Sequence, residues 1–412
     1  MKGNILFLTG CYPKEMGNYF EVNSKVMPQN AMNVLSWRII EGLEANIPGR
    51  FKVLSCPFIG YYPSGFTKLK INDFEWSHNG EDKDQLLGFI NIKGFETWQK
   101  SKRILRFVKE WYKESIDNRH ILIYSHYAGF LRAAGLIKKS MPDMSITCLV
   151  TDMNEMDERK DLMGIKGKIK GIPRAIMIHT TYSNLKYLSS FVLLADSMKV
   201  PLGVGNRPYI VVEGISDRNV NQIYSSTKFQ KNNDEFRVVY TGTLHKRYGA
   251  VMLAEAIKSI QDSRVKLYIC GSGDGDKEVA EIAKNCNNIE YLGVVPHSVA
   301  IELQSTADLL VNSMPNFGVH TELSFPSKTM EYMAMGKPVA CFKVKGIPDE
   351  YDEYLIYFKE ESSMGIAKKI IEISNMPQNV LLNIGAENRK FVMENKTPKN
   401  QVKHILEMLE MV

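Results

Sequence analysis

Short apolar runs alternate with segments of helical spacing along this chain, and the alternation is played twice. In the first round, residues 5–9 (ILFLT), 51–55, 121–125 (ILIYS), 146–151 (ITCLVT), 191–194 and 209–212 are the apolar runs. Runs of that length bounded by turn residues suit strands covered on both faces. Residues 33–43, 96–115, 128–139 and 175–183 carry apolar positions at helical spacing. Residues 10–23 read as a loop, and 56–93 as irregular, rich in Gly, Pro and aromatic residues. A polar stretch over 215–235 breaks the pattern and reads as a linker. The second round then places strands at 236–240, 265–270, 289–292, 309–312 and 339–342, with helices at 251–260, 276–285 and 298–305 between them. Helical spacing closes the chain at 362–374, 380–394 and 398–411. Such alternation predicts α/β architecture: two doubly wound parallel sheets with helices on both faces, facing each other across a cleft. Ligands in such sheets bind beyond the carboxyl ends of the strands, so the cleft is the expected site.

The chain has 412 residues, enough for two cores. Hydrophobic residues make up 44% and charged residues 24%, an ordinary globular balance. No apolar run reaches the ~18 residues of a membrane span, and the apolar part of the N-terminus is too short for a secretion signal. Six cysteines at 11, 56, 148, 270, 286 and 341 form no C-x-x-C pair, so neither a disulfide framework nor a zinc site follows from them. A reducing cytoplasm fits that usage. The net charge is +6, part of it in residues 159–174 (RKDLMGIKGKIKGIPR). That run reads as a solvated basic loop or a patch for anionic lipid or a phosphorylated acceptor. No recognisable nucleic-acid module is present, and no nucleic-acid partner is expected.

Chemistry gathers at the strand ends of the second round. Thr241-Gly242-Thr243-Leu244-His245-Lys246-Arg247 follows its first strand. Gly242 lets a ligand approach the backbone, and Lys246 and Arg247 offer positive charge. Gly271-Ser272-Gly273 follows the second, a loop against which a base or ribose could lie. After the fourth comes 316–322, then Phe325-Pro326-Ser327-Lys328-Thr329-Met330-Glu331. Ser327 reads as an N-cap and Gly336-Lys337-Pro338 as a helix stop. Met330, Met333 and Ala334 form an apolar stripe, with Lys328 and Glu331 opposite. Free first-turn amides, a lysine and a hydroxyl-reading carboxylate make an anion site. A capped surface helix with a solvated Lys–Glu pair accounts for the same residues. Convergence from separate strands on one edge points to a nucleoside diphosphate.

The series Tyr240–Leu244, Cys270–Gly273, Phe325–Lys328, Glu331 and Gly336–Val339 resembles retaining glycosyltransferases of the GT-B fold, family 4-like, most strongly over 236–348. The resemblance implies an acceptor-binding Rossmann-like domain over 1–214, the linker 215–235, a nucleotide-sugar-binding Rossmann-like domain over 236–396, and a last helix, 397–412, that crosses back to the first domain. It implies that amides at Ser327 and Lys328 hold the diphosphate, with Lys328 as counter-charge, and that Glu331 accepts from the ribose hydroxyls. The family's Arg and Lys of the first-strand loop fall on Thr243 and Tyr248 here, so Lys246 and Arg247, with Lys328, are expected to supply the charge instead; with Gly242, Thr243, Gly271, Ser272 and Gly273 they complete the expected donor set. Retaining chemistry of this kind needs no dedicated base, no metal and no further cofactor, because the departing diphosphate helps take the acceptor proton. The sequence departs from the family pattern at its first motif glutamate: position 323 is leucine and Glu322 is one place off.

By the same resemblance, Asp152 stands at a strand end where many relatives have a histidine near the sugar. His126 follows strand 121–125 on the same edge, and residues 10–17 could close over the acceptor. The reading is a hexosyltransferase using a UDP-sugar and a glycan or lipid-linked acceptor, in surface polysaccharide or glycoconjugate assembly. Its expected place is cytoplasmic, with peripheral membrane contact through 96–113 or 159–174. Two alternatives share the architecture: a sugar-nucleotide epimerase, and a non-catalytic nucleotide-binding partner of a transferase, which the displaced Glu322 favours.

Overall fold

A computed structural model describes residues 4–26, 30–114, 118–151, 178–216, 229, 231–232, 234–316 and 318–410. The chain divides into two compact units, Met1–Ile215 with Pro398–Val412, and Ser216–Thr397.

In the first unit the strands are β1 (Asn4–Thr9), β2 (Phe51–Ser55), β3 (Lys70–Ile71), β4 (Phe74–Trp76), β5 (Asp84–Leu86), β6 (Phe89–Ile90), β7 (Arg119–Tyr124), β8 (Ser145–Val150), β9 (Ser190–Leu193) and β10 (Tyr209–Val211). Eight of them form one sheet in the order β10-β9-β8-β7-β1-β2-β5-β4. It is parallel except for the β4–β5 edge pair. Residues Ile5 to Leu8 of β1 are fully buried, as a central strand covered on both faces must be. The chain leaves β1 toward β2 and later returns through β7 on the other side, so the sheet reverses direction between β1 and β7. Strands β3 to β6 lie inside the stretch read from sequence as irregular. They are two or three residues long and mostly lack an apolar run, so no periodicity marks them. Likewise, residues 10–23 contain a helix, Gly17–Asn23, inside the expected loop.

In the second unit the strands are β11 (Phe236–Thr241), β12 (Val265–Cys270), β13 (Ile289–Tyr291), β14 (Leu309–Asn312), β15 (Val339–Cys341) and β16 (Ile356–Tyr357). They make one parallel sheet ordered β13-β12-β11-β14-β15-β16, reversing direction between β11 and β14. Its core runs from Val238 and Leu267 to Met333 and Ile370, all buried.

The helix Pro398–Met408 belongs to the first unit and packs on the helix Asn30–Asn46. The approach is close: a Cβ at Gly42 would sit 2.3 Å from Val402 Cγ2 and 2.4 Å from the Pro398 carbonyl oxygen. The six cysteines are free. Burial pushes the thiols of Cys11, Cys56 and Cys341 up to about 12, so they are inert apolar residues rather than nucleophiles.

Candidate functional site

At the reversal point of the second sheet, two loops close on each other through main-chain atoms. Leu244 N–H donates to the Ser272 carbonyl (2.9 Å) and Gly275 N–H to the Leu244 carbonyl (2.9 Å). This contact requires glycine. A Cβ on Gly271, whose φ is +136°, would lie 1.7 Å from the Gly242 carbonyl oxygen, and one on Gly273 would lie 2.5 Å from the Leu244 carbonyl carbon. Thr243 sits between the two glycine turns, its carbonyl accepting from Tyr240 Oη at 2.9 Å.

The third wall is the helix Ser327–Ala334. Ser327 is not its cap, contrary to the sequence expectation. Pro326 occupies the cap position in an extended conformation (φ −74°, ψ 91°), and no side chain caps the helix. Proline's fixed φ starts the turn one residue earlier. The Ser327 and Lys328 amides therefore open the helix with no side-chain cap, which suits an incoming anion. At the other end Gly336 takes φ +70°, the expected left-handed stop.

Lys328 and Glu331 come together as the helical spacing requires. Lys328 Nζ donates to Glu331 Oε1 and Oε2 at 2.9 and 3.1 Å. A Cβ on Gly242 would be 3.4 Å from Lys328 Cε, so the lysine stem runs directly over the glycine turn. Glu331 is fixed from beneath by Gln304, a fully buried residue of the helix His297–Ser305. Gln304 Nε2 donates to Glu331 Oε1 (2.7 Å) and to Thr241 Oγ1 (2.8 Å). Tyr332, also buried, donates from its hydroxyl to the Thr241 carbonyl (3.0 Å) and accepts from its N–H (2.9 Å). These two residues pin the helix to the end of β11. The sequence reading missed both; an amide at an otherwise apolar position of a short helix was the available signal.

The other expected cations are engaged elsewhere. Lys246 Nζ pairs with Glu278, and its backbone N–H donates to Asp274 Oδ1 at 2.7 Å. The hydrogen bond to Glu278 raises the Lys246 pKa. The Arg247 guanidinium stacks 5.1 Å from the Tyr248 ring centroid. Glu322 ends a short helix, Gly318–Glu322, and accepts from Lys345 Nζ at 2.6 Å, while Leu323 is buried.

The first unit carries a cavity of about 370 Å³ beyond the carboxyl ends of β2, β7 and β8. His126 lines it, with Phe58, Tyr61, Tyr124, Tyr127 and Ser125. Ser125 has φ +71°, a left-handed conformation that costs a serine about 1 kcal/mol and that clusters at functional sites. A Cβ on Gly10 would strike the Phe58 ring at 2.5 Å, so that glycine lets the ring lie across the mouth of β1. The loop after it is tied down: Tyr12 stacks on Phe20 (4.8 Å) and Lys14 lies over Trp37 (4.5 Å). Asp152 lies outside the described residues, as does the basic run 159–174.

The same cavity holds an ion pair that the sequence reading passed over. Glu96 and Lys100, both almost fully buried, meet at 3.2 Å across one turn of the helix Phe95–Glu114. Tyr127 Oη donates to Glu96 at 2.7 Å, and Lys100 Nζ donates to the Pro57 carbonyl at 3.2 Å and lies 3.9 Å over the Phe89 ring. Burial, and then the Glu96 charge, raise the Tyr127 phenol far above its usual range, so it stays a donor.

Comparison with known proteins follows the same division. Residues 235–375 match the family described as Glycosyl transferases group 1. A search of curated proteins finds no match to the sequence. Among solved structures, a glycosyltransferase from Rickettsia africae ESF-5 aligns at TM-score 0.63 and 14% identity over 100% of this chain and 98% of that one. A trehalose-6-phosphate structure from E. coli bound with UDP-2-fluoro glucose aligns at TM-score 0.63 and 8% identity, covering 99% of each chain. A trehalose-6-phosphate synthase used to study glycosyl transfer with retention aligns at TM-score 0.64 and 9% identity over 100% and 99%. At such identities the likeness establishes the fold, that of GT-B glycosyltransferases. Over residues 235–375 the chain is thus similar to the glycosyl transferases group 1 family.

Proposed function

We propose that the protein is a retaining glycosyltransferase. In this reading it moves a sugar from a UDP-sugar to a glycan or lipid-linked acceptor in surface polysaccharide or glycoconjugate assembly. The observation that carries the reading is Lys328 lying over Gly242 while it bridges Glu331, itself held by Gln304. Donor binding is then an exchange of partners. The β-phosphate takes Lys328 and the amides at Ser327 and Lys328, and Glu331, released on its open side, accepts the ribose hydroxyls. Thr243, Gly271, Ser272 and Gly273 form the floor, while Lys246 and Arg247 add longer-range positive charge. As the sugar–phosphate bond breaks, charge grows on the diphosphate, and the first-turn amides with Lys328 stabilise it. The diphosphate oxygen on the same face receives the acceptor proton, so neither a metal nor a separate base is needed. The cavity of the first unit takes the acceptor, with His126 in its wall; Asp152, outside the described residues, is assigned to the acceptor side from the sequence alone. The neighbour bound with UDP-2-fluoro glucose and the neighbour studied for retention support the donor and stereochemical parts by likeness of fold.

Titration with UDP, followed by a UDP-release assay with UDP-sugars, tests the reading. Lys328→Ala is expected to weaken UDP binding about 10–100-fold, the worth of one charge-assisted contact. Unchanged affinity and turnover would remove Lys328 from the mechanism. One observation favours the non-catalytic alternative: Leu323 is buried and Glu322 is occupied by Lys345, so no free carboxylate stands at the family's first motif position. UDP binding with no UDP release under any acceptor would decide for that alternative.

Membrane contact belongs to the same proposal. On the helix Phe95–Glu114, Phe95, Trp98, Lys102, Arg106, Lys109 and Lys113 are all exposed and recur every three or four residues. Two aromatic rings followed by four cations on one face suit an anionic lipid surface. Among the described residues, no helix is long and apolar enough to cross a membrane.

A further inference from the structure

In the first unit, at the amino end of β2, an imidazole is faced by three carboxylates. His78 lies in the turn after β4, and its side chain is fully buried. Its Nδ1 lies 2.7 Å from Asp84 Oδ2. Asp84, fully buried at the start of β5, also accepts from the backbone N–H groups of His78 and Val53, both at 2.8 Å. Nδ1 therefore carries the proton of a short charge-assisted bond, and the ring is held by Asp84 and by the Phe51 ring at 4.5 Å.

The opposite nitrogen is in a different situation. Nε2 is 3.3 Å from Glu44 Oε2, on the helix Asn30–Asn46, and 3.5 Å from Asp82 Oδ2. The three atoms lie within 4.8 Å of one another. These separations are long for an imidazolium–carboxylate bond, which runs about 2.7–2.9 Å. They equal the edge of a tetrahedron whose centre is about 2.0–2.2 Å from each corner, which is the spacing of nitrogen and oxygen ligands around zinc. Asn79 Nδ2 donates to Asp82 Oδ2 (2.7 Å) and Glu44 Oε1 (3.3 Å), which aligns both carboxylates. Three carboxylates face one imidazole, so a divalent cation also offsets excess negative charge.

We infer that Glu44, His78 and Asp82 form a zinc(II) site, with Asp84 orienting the histidine and a water completing the tetrahedron. The carboxylate–histidine–metal relay is the arrangement that raises ligand basicity and fixes the ring. Its position makes the site structural. The ion ties the 77–84 turn, at the open edge of the sheet, to the helix that packs on the C-terminal helix. The site is independent of the transfer reaction, since it stands at the end of the sheet opposite the cavity.

The test uses the full chain, stripped with chelator and titrated with zinc chloride by calorimetry, with thermal unfolding alongside. One equivalent per chain at micromolar affinity or tighter, with a raised Tm, is expected. Cobalt(II) in its place is expected to show the intense visible absorption of a four-coordinate ion. Glu44→Gln and Asp82→Asn, both partly exposed and safe for folding, are each expected to weaken zinc binding at least 10-fold. Asp84→Asn is expected to weaken it about 10–100-fold without removing a ligand. Absence of stoichiometric uptake and of any thermal shift, or uptake that Glu44→Gln and Asp82→Asn leave unchanged, overturns the site.

Discussion

The two sites are built from different materials. In the second unit the floor is backbone: glycines 242, 271, 273 and 275 let two loops lock together, and one short helix adds Lys328 and Glu331. In the first unit the cavity is made of side chains brought together from distant parts of the chain, Phe58, Glu96, Lys100 and Tyr127 among them. A backbone site leaves its mark in local sequence, because only glycine satisfies the geometry. A side-chain site leaves almost none, because each residue is ordinary where it stands.

The difference can be broken experimentally. The largest effect is expected from Gly271→Ala, where the new Cβ meets a carbonyl oxygen at 1.7 Å in a left-handed conformation. Loss of about 4 kcal/mol in denaturant unfolding of the second unit is expected, as for severe backbone conflicts. A near-neutral alanine would mean the loops can part, and the backbone account fails. Next, Glu96→Gln leaves the Lys100 ammonium buried without its charge partner, which costs about 3 kcal/mol. Lys100→Met added to it is expected to restore most of that loss. Additive costs in the double variant would show that the pair is not coupled and does not organise the cavity.

A third probe separates the units by pH. His120 in β7 is buried, with Nε2 2.7 Å from Thr147 Oγ1, and burial pushes its pKa down to about 4. In the unfolded chain it titrates near 6.5, so stability is whole above that pH and falls as pH drops toward 4, by about 1.4 kcal/mol per unit. Unfolding midpoints at pH 7 and pH 5 should diverge for the first unit, and His120→Gln should flatten the slope; an unchanged slope in that variant assigns the acid lability elsewhere. The smallest effect is at the surface. Charge reversal at Lys102, Arg106 and Lys109 is expected to abolish flotation with anionic liposomes at low salt, at about 1 kcal/mol per charge. Equal flotation of wild type and variant would detach the helix Phe95–Glu114 from the membrane.

Much of the architecture was legible because long buried strands announce themselves. Residues 51–55 are strand in both the sequence reading and the structure, and the other long strands agree within two residues. The 56–93 stretch was not legible, since its strands are two or three residues long and are defined by partners rather than by apolar periodicity. At the candidate donor edge, Gly242, Gly271, Lys328 and Glu331 could be read from spacing. The partners of Gln304 and Tyr332 could not, because they lie 63 and 91 residues away in sequence; only the lone amide at an apolar helix position hinted at Gln304. Ser327 was assigned as a cap from residue type alone, whereas the proline before it sets the helix start. Glu96 and Lys100 looked like ordinary positions of an amphipathic helix. Only the fold shows them meeting in the dark.

The C-terminal helix has a consequence for how the protein is made. Val402, Ile405 and Leu406 complete the core of the first unit, yet they are translated only after the whole of Ser216–Thr397. At ribosomal speeds of about 5–20 residues per second, that segment occupies roughly 10–40 s. During that interval the nascent first unit presents an apolar furrow beside Gly42, Leu43 and Ile39, shaped for a strip of the same polypeptide still to be synthesised. Birth order and spatial order are thus reversed: the unit begun first is the last to be finished.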